Sequence, residues 1–162
     1  MSDDTIRALA VQVLERCRAQ KLTIATAESC TGGMIAAALT DIAGSSDVVD
    51  RGFVTYSNRA KNEMLGVPAN LIARVGAVST EVAQAMAAGA LAHAPVDLAV
   101  AVTGIAGPGG GTVEKPVGLV YFAVTRRGGA IRAEHQVFPG DRAAVRRATV
   151  MRALTLLLEA AR

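Results

Sequence analysis

The most constraining feature of the sequence is an uninterrupted apolar segment, Leu98-Ala-Val-Ala-Val102, which lies between Pro95 and a glycine-rich stretch. Its length is that of a strand, and its lack of polar alternation is typical of a strand whose two faces are both buried. A strand of this kind belongs to a sheet that is covered by helices on both sides. The segment therefore favours an α/β fold.

Hydrophobic periodicity and turn residues predict the other elements around this strand. Helices are predicted at 6–17, 34–39, 60–65 and 81–93 and from 142 onward, and strands at 22–27, 51–57, 117–124 and 131–138. Asn58 and Ser79 are the predicted caps of the two middle helices, and Gly128-Gly129 is predicted to join the last two strands in a hairpin. We therefore predict one domain over residues 1–162, a three-layer α/β/α sandwich with a mixed central sheet.

The composition excludes several classes of protein. Although 51% of the residues are hydrophobic, no apolar run approaches the roughly 20 residues that span a bilayer. The N-terminal residues are acidic and then amphipathic, unlike a secretory signal, so we expect a cytoplasmic protein with no membrane partner. Cys17 and Cys30 form at most one disulfide, which is not expected in a reducing compartment. They are too few for a cysteine zinc cluster, and His93 and His135 lack metal-ligand spacing, so we expect neither a metal nor another cofactor.

Charge and aromatic content indicate the kind of partner. The net charge is +3, aromatic residues make up 3% of the chain, and tryptophan is absent. Platforms for stacking on single-stranded nucleic acid are therefore scarce, and a small anionic ligand is favoured over nucleic acid. The alanine-rich helix predicted at 81–93 suits either an interface in a homo-oligomer or packing against the sheet.

A short run of polar and glycine residues, Glu28-Ser-Cys-Thr-Gly-Gly33, separates a predicted strand from a predicted helix. Unpaired backbone amides at a helix start favour negative charge, so a nucleophile in this turn would have donors for a developing oxyanion. Ser29 is the candidate nucleophile, and Gly32 and Gly33 allow a ligand to approach the backbone closely. The competing interpretation is that Ser29 or Thr31 only caps the helix.

The same turn contains further candidates. Cys30 is a rival nucleophile, because a helix N-terminus lowers the pKa of a thiol. Glu28 could cap the helix, orient a ligand or be solvated. Ser29 lacks the G-x-S-x-G context of α/β hydrolases and has no convincing histidine partner. A general base for Ser29 must therefore come from elsewhere in the chain.

Lys61 is the candidate base, since burial or a neighbouring cation can lower the pKa of a lysine into a useful range. Tyr56, at the end of the preceding predicted strand, could share or relay the proton. The alternatives are a solvated helix lysine at Lys61 and ordinary core packing of Tyr56 with its hydroxyl at the rim.

The glycine-rich stretch from Thr103 to Thr112 suits either an anion cradle or a mobile connection. It lacks the lysine and hydroxyl residue that end a Walker A loop. It is not a dinucleotide fingerprint either, because a strand follows it instead of a helix. Arg142, at the start of the last helix, is the stronger candidate for a phosphate ligand, with an exposed helix arginine as the alternative.

Beyond these separate features, a series of specific segments extends along the chain. They are Thr26-Ala-Glu-Ser-Cys-Thr-Gly-Gly33, Gly44-Ser-Ser46, Gly52-Phe-Val-Thr-Tyr-Ser-Asn58, Leu65-Gly-Val67, Gly76-Ala-Val-Ser79, Thr103-Gly-Ile-Ala-Gly-Pro108, Lys115-Pro-Val-Gly118 and Phe138-Pro-Gly-Asp-Arg142. In order and spacing the chain resembles the CinA carboxy-terminal domain family, the nicotinamide-nucleotide amidases. The resemblance covers essentially the whole chain. It is to the stand-alone form, without the larger molybdopterin-binding-like domain of many relatives.

The resemblance implies hydrolysis of the carboxamide of nicotinamide mononucleotide to nicotinic acid mononucleotide and ammonia. It implies Ser29 as the nucleophile with Tyr56 and Lys61 beside it. Substrate contacts are expected from residues of the nucleophile turn, the next helix start, the glycine-rich loop and the last helix, namely Glu28, Cys30, Gly32, Gly33, Asn58, Thr103, Gly104 and Arg142. One departure is Gly109-Gly-Gly111, where the family pattern has an acidic or polar residue beside the glycines.

We therefore expect a serine amidase that acts on a small nucleotide with a lysine or tyrosine base. A non-catalytic module that binds a pyridine nucleotide is the alternative, and a thiol hydrolase that uses Cys30 is a third hypothesis. The sequence leaves open the strictness of the substrate preference and whether the biological role is salvage or repair.

Overall fold

The computed structural model describes residues 3–162, and a five-stranded sheet forms the middle of this region. Its strands are β1 (Ile24–Glu28), β2 (Val49–Val54), β3 (Leu98–Gly104), β4 (Leu119–Arg126) and β5 (Ile131–Val137). They lie in the order β2-β1-β3-β4-β5. β1 is parallel to β2 and β3, whereas β4 is antiparallel to β3 and β5. The predicted mixed sheet is confirmed.

Helices cover both faces of this sheet. They are α1 (Asp3–Gln20), α2 (Met34–Thr40), α3 (Asn58–Leu65), α4 (Ala69–Val75), α5 (Thr80–His93) and α6 (Arg142–Ala160), with a short 3-10 helix at Ser45–Asp47. One layer contains α1, α2 and α6, and the other contains α3, α4 and α5. This arrangement confirms the three-layer α/β/α prediction. Within residues 3–162, no helix combines the length and the apolar character needed to cross a membrane.

The central strand β3 follows the pattern read from its sequence. Every residue from Leu98 to Val102 is 0% exposed. The larger side chains of Leu98, Val100 and Val102 face the layer of α1, α2 and α6, while Ala99 and Ala101 face the layer of α5. Both faces of the strand are therefore buried, which explains why no polar residue alternates with the apolar ones.

Helix α5 is rich in small residues because it packs directly on the sheet. Its buried residues are Val82, Ala83, Met86, Ala87, Gly89 and Ala90. A Cβ at Gly89 would lie 2.0 Å from the carbonyl oxygen of Leu65, so only glycine fits where α5 crosses the end of α3. Of the two interpretations of this helix, the structure shows packing against the sheet.

Three predicted boundaries around the sheet are wrong. The second strand ends at Val54 and not at residue 57, because its partner strand β1 ends at Glu28, opposite Val54. Helix α3 is capped by Ser57, whose hydroxyl accepts a hydrogen bond from the Ala60 amide at 3.0 Å. Asn58, the predicted cap, is already the first helical residue.

The third error concerns the start of β4, which was expected at residue 117 and lies at Leu119. Gly118 has a φ of +96°, a left-handed conformation that interrupts the extended backbone. Helix α4 was not predicted at all. Leu71, Ile72 and Val75 carry its helical spacing, but the segment is only 7 residues long and follows Pro68.

Candidate active site

The turn between β1 and α2 lies at the carboxyl end of a strand in the interior of the sheet. Ser29 directly follows β1, and its amide donates to the carbonyl of Val102 on β3 at 3.1 Å. Gly32 and Gly33 have φ values of +58° and +109°, which residues with a Cβ rarely adopt, and they reverse the chain into α2. Ser29 is 8% exposed, so its side chain is largely shielded from bulk water.

The side chain of Glu28 caps the N-terminus of helix α2. Its carboxylate accepts hydrogen bonds from the Thr31 hydroxyl at 2.6 Å and from the amides of Ile35 and Ala36 at 2.8 and 3.0 Å. The residue is 0% exposed. Of the three roles considered for Glu28, the structure shows capping, and Glu28 is not among the residues that line the clefts beside Ser29.

Two features of the start of α2 bear on the role of Ser29. The amides of Ile35 and Ala36 are occupied by Glu28, so an oxyanion at Ser29 must be held by other donors. The residue at the N-cap position of α2 is Gly33, which has no side chain. The side chain of Ser29 therefore does not cap α2.

Lys61 is 1% exposed and lies on α3 beside the nucleophile turn. Its Nζ is 2.9 Å from the Oγ of Ser29. The same amino group donates to the backbone carbonyls of Thr55 at 3.0 Å and Tyr56 at 3.4 Å. The interpretation of Lys61 as a solvated helix lysine is therefore wrong.

Burial lowers the pKa of Lys61 from its ordinary value of 10.5, and the neighbouring Cys30 acts in the opposite direction. Burial acts in this direction because a charged ammonium loses hydration that two carbonyls only partly replace. Among residues 3–162 no carboxylate forms an ion pair with Lys61. The surroundings thus favour the neutral amine, the form in which lysine accepts a proton.

Tyr56 and Arg142 meet at the mouth of the site. The Tyr56 side chain is 59% exposed, and its hydroxyl accepts a hydrogen bond from the Arg142 guanidinium at 2.8 Å. Arg142 also donates to the carbonyl of Gly107 in the glycine-rich loop at 2.8 Å. Within the described part of the chain, the Tyr56 hydroxyl has no hydrogen bond to Ser29 or Lys61, so the structure does not place it on the proton path between them.

Two adjoining clefts lie over these residues. The smaller one, about 260 Å³, is lined by Ser29, Cys30, Tyr56, Gly104, Ile105, Ala106, Gly107, Gly109, Gly110 and Arg142. The larger one, about 520 Å³, is lined by Ala106, Pro108, Val117, Gly140, Asp141, Arg142, Ala143 and Arg146. Both clefts include Ala106 and Arg142. Ser29 therefore lines the smaller cleft, and the larger cleft beside it is lined by two arginines, Arg142 and Arg146.

Cys30 lines the smaller cleft, but its thiol is not activated. Burial raises its pKa from 9.0 to about 12. A reactive cysteine shows the opposite shift, because the thiolate is the nucleophile. Both Cys30 and Cys17 are free thiols.

Within residues 3–162, no three His, Cys, Asp or Glu side chains are grouped as metal ligands.

The remaining predicted contact residues separate into two groups. Gly104 lines the cleft, and a Cβ there would lie 2.8 Å from the Leu119 carbonyl oxygen. Thr103 is buried, and its hydroxyl donates to the Ala77 carbonyl at 2.9 Å. Asn58 borders a different cleft, between α3 and α4, of about 400 Å³. The side chains of Thr103 and Asn58 therefore do not line the Ser29 cleft, and their contact with a substrate stays a prediction.

Sequence reasoning missed Arg146 as part of the site. Its Nε donates to the Cys30 carbonyl at 3.1 Å, and one terminal nitrogen donates to the Thr31 carbonyl at 3.2 Å. The available signal was its spacing, since Arg142 and Arg146 are four residues apart and share one side of α6. Of the basic residues of this helix, the sequence singles out only Arg142.

Comparison with known proteins identifies the family. Residues 6–161 match the CinA C-terminal domain family. The nicotinamide-nucleotide amidohydrolase PncC of Escherichia coli K12 is 51% identical over 158 residues, which are 97% of this chain and 95% of that protein. A CinA-like protein of Akkermansia muciniphila is 57% identical over 143 residues, 88% of this chain. This chain covers only 34% of the length of that relative.

Solved structures agree with the sequence match. The competence/damage inducible protein CihA from Agrobacterium tumefaciens superposes with a TM-score of 0.96 at 49% identity, covering 100% of this chain and 98% of that one. A competence-damaged protein (CinA) superfamily member from Escherichia coli gives a TM-score of 0.92 at 37% identity, with 98% and 92% covered. Sequence and fold together show that this chain belongs to the CinA C-terminal domain family.

Proposed function

We propose that this protein is a serine amidase that hydrolyses the carboxamide of nicotinamide mononucleotide to nicotinic acid mononucleotide and ammonia. The observation that carries the proposal is the 2.9 Å contact between the buried Lys61 amino group and the Ser29 hydroxyl at the floor of a cleft. The substrate class is supported by the E. coli relative, which is named a nicotinamide-nucleotide amidohydrolase and is 51% identical over nearly the whole chain.

Lys61 serves as the general base in this proposal. A neutral amine has two N–H bonds and one lone pair. The carbonyls of Thr55 and Tyr56 accept the two N–H bonds, which leaves the lone pair for the hydroxyl proton of Ser29. These three contacts therefore orient the lone pair of Lys61 towards the Ser29 hydroxyl, so that Lys61 can accept its proton.

The reaction then proceeds in two balanced halves. Ser29 Oγ forms a bond to the amide carbon while its proton moves to Lys61, and the carbonyl oxygen becomes an oxyanion. As the C–N bond breaks, Lys61 returns the proton to the leaving nitrogen, ammonia departs, and an ester to Ser29 remains. Water then attacks this ester while Lys61 takes one of its protons. As the ester bond breaks, Lys61 passes that proton to Ser29 Oγ, which frees the carboxylic acid and restores Ser29.

The phosphate of the nucleotide is assigned to the larger cleft. Arg142 supplies positive charge there and also borders the Ser29 cleft, whereas Arg146 donates to the carbonyls of Cys30 and Thr31. Asp141 lies in the same cleft, and its carboxylate accepts the Ala144 amide at 2.9 Å as the cap of α6. Binding of the phosphate beside Arg142 would place the rest of the nucleotide towards Ser29, which orients the carboxamide. In this proposal Tyr56 acts on Arg142 and does not act as a base.

The test is ammonia release from nicotinamide mononucleotide by wild type, Ser29→Ala and the control Ser46→Ala, whose serine is exposed and outside both clefts. We expect turnover by wild type and the control and none by Ser29→Ala. An acid-quenched reaction should also contain wild-type protein with the acyl group on Ser29. Binding of the nucleotide without ammonia release by folded wild type would refute catalysis and indicate the non-catalytic binding module.

A further inference from the structure

Arg146 extends from α6 to the backbone of the two residues that follow the nucleophile, Cys30 and Thr31. Its guanidinium donates to the Cys30 carbonyl at 3.1 Å and to the Thr31 carbonyl at 3.2 Å. The side chain is partly buried and lines the larger cleft. A planar guanidinium presents donors in a fixed fork, so two contacts of this kind set the orientation of both peptide groups.

These contacts continue through the turn to the residue after the nucleophile. In a trans peptide the carbonyl and the N–H point in opposite directions, and none of the peptides of this turn is cis. Arg146 holds the Thr31 carbonyl, so the Gly32 N–H of the same peptide is directed away from Arg146. That N–H donates to the Ser29 carbonyl at 3.0 Å.

The Ser29 carbonyl in turn determines where the Cys30 amide points, because both belong to one peptide. Within residues 3–162, no other residue accepts a hydrogen bond from the Cys30 amide, and its one contact of this kind is with the residue's own thiol, a weak acceptor. Cys30 lines the cleft with Ser29, and the N–H of the residue after a nucleophilic serine is a common oxyanion donor. The helix amides of Ile35 and Ala36 are not available for this role, because Glu28 occupies them.

We propose that Arg146 is a positioning residue that, through the peptides of Thr31 and Ser29, holds the Cys30 amide in place as the oxyanion donor for Ser29. This inference rests on the proposed amidase function. Arg146 does not touch the reacting atoms. It stabilises the turn so that the donor is already oriented when negative charge develops on the substrate oxygen, which is the condition for electrostatic stabilisation of a transition state.

The test compares Arg146→Met, Arg146→Lys and Arg147→Met with wild type in steady-state ammonia release from nicotinamide mononucleotide across pH. Methionine keeps the apolar stem and removes both donors, and lysine keeps the charge but not the fork. Arg147 is the matched control, since it is the next residue on α6 and pairs instead with Asp3 at 3.1 Å. Urea unfolding of each variant verifies that it is folded.

We expect kcat of Arg146→Met to fall about 10- to 100-fold with little change in KM, because the lost interaction acts in the transition state. Arg146→Lys should lie between Arg146→Met and wild type, and Arg147→Met should match wild type. The pH dependence of kcat/KM should keep its midpoint in every variant, since Arg146 is not among the groups that shift the pKa of Lys61. Should Arg146→Met fail to fold, the kcat of Arg146→Lys decides the question.

Two outcomes overturn the inference while leaving the amidase function intact. A raised KM with unchanged kcat in Arg146→Met would make Arg146 a ground-state ligand of the phosphate. A shifted pH midpoint with unchanged maximal kcat would make it a modulator of the charge of Lys61. Absence of ammonia release from wild type would instead refute the proposed function, and the inference would fall with it.

Discussion

The Nζ of Lys61 lies 2.9 Å from the Oγ of Ser29, although the two residues are 32 positions apart in the sequence. They meet because β1 and β2 are parallel neighbours, so the chain leaves both strands at the same edge of the sheet. Ser29 follows β1, and α3 with Lys61 follows β2. The site is thus built from two consecutive strand-to-helix connections, and neither connection contains a histidine.

Replacement of the base should abolish most of the activity without unfolding the protein. We expect Lys61→Met to lower kcat by about 10²- to 10⁴-fold, the usual contribution of a positioned general base. Ammonia release measures the effect, and Lys21→Met, at an exposed lysine outside the clefts, serves as the control. Substantial activity in a folded Lys61→Met protein would contradict the assignment of the base.

The pH dependence follows from the lowered pKa of Lys61. Catalysis needs the neutral amine, so kcat/KM should rise with pH as one proton leaves Lys61 and should level off above its pKa. Because burial lowers this pKa from its ordinary 10.5, the midpoint should lie below 10.5. Activity that is highest at acidic pH and falls as pH rises would argue against a neutral lysine base.

Tyr56→Phe should distinguish support of Arg142 from proton relay. The substitution removes the hydroxyl that accepts a hydrogen bond from Arg142 at 2.8 Å and leaves the ring in place. We expect KM to rise about 2- to 10-fold, the scale of a typical net hydrogen bond, with kcat nearly unchanged.

The control for this variant is Tyr121→Phe, because Tyr121 packs against His135 on the sheet and lines neither cleft. If kcat of Tyr56→Phe instead fell by orders of magnitude at constant KM, the hydroxyl would belong to the proton path.

Cys30→Ala should retain a kcat of the same order as wild type. The thiol has a pKa of about 12, so its thiolate is scarce at neutral pH. For the same reason, iodoacetamide at neutral pH should label Cys30 in the folded protein far more slowly than in urea-unfolded protein. Loss of activity in folded Cys30→Ala together with retained activity in Ser29→Ala would revive the thiol hydrolase hypothesis.

Glu28→Gln should destabilise the fold through the cap of α2. The Thr31 hydroxyl and the Ile35 amide donate to one carboxylate oxygen and the Ala36 amide to the other, so the NH₂ of glutamine would face at least one of these donors. We expect a loss of about 1–3 kcal/mol in the free energy of unfolding, the scale of a buried polar group left without its partner. Urea unfolding measures it.

The control for Glu28→Gln is Glu63→Gln, which alters an exposed pair with Arg59 and should change stability by no more than about 0.5 kcal/mol. Equal stability of Glu28→Gln and wild type would mean that the cap contributes nothing to folding.

Local sequence predicted the fold class and, apart from α4, the main helices and strands. The apolar run of β3 required helices on both faces, the glycines after Thr31 required a tight turn into α2, and the hairpin residues Gly128 and Gly129 required adjacent antiparallel strands. Each of these features depends on the backbone conformation or the burial of one short segment. Residue type and spacing within that segment are enough to predict it. The same information suggested Ser29 and Lys61 as candidates.

Tertiary structure decided what each candidate touches. Glu28 accepts hydrogen bonds from the helix amides that the sequence suggests as donors for an oxyanion. The Tyr56 hydroxyl contacts Arg142, although the sequence also suggests a proton relay. Arg146 entered the site only because α6 packs beside the nucleophile turn, 115 residues away along the chain from Thr31. Contacts between distant segments depend on how the layers pack, and that is not encoded in the spacing of any single motif.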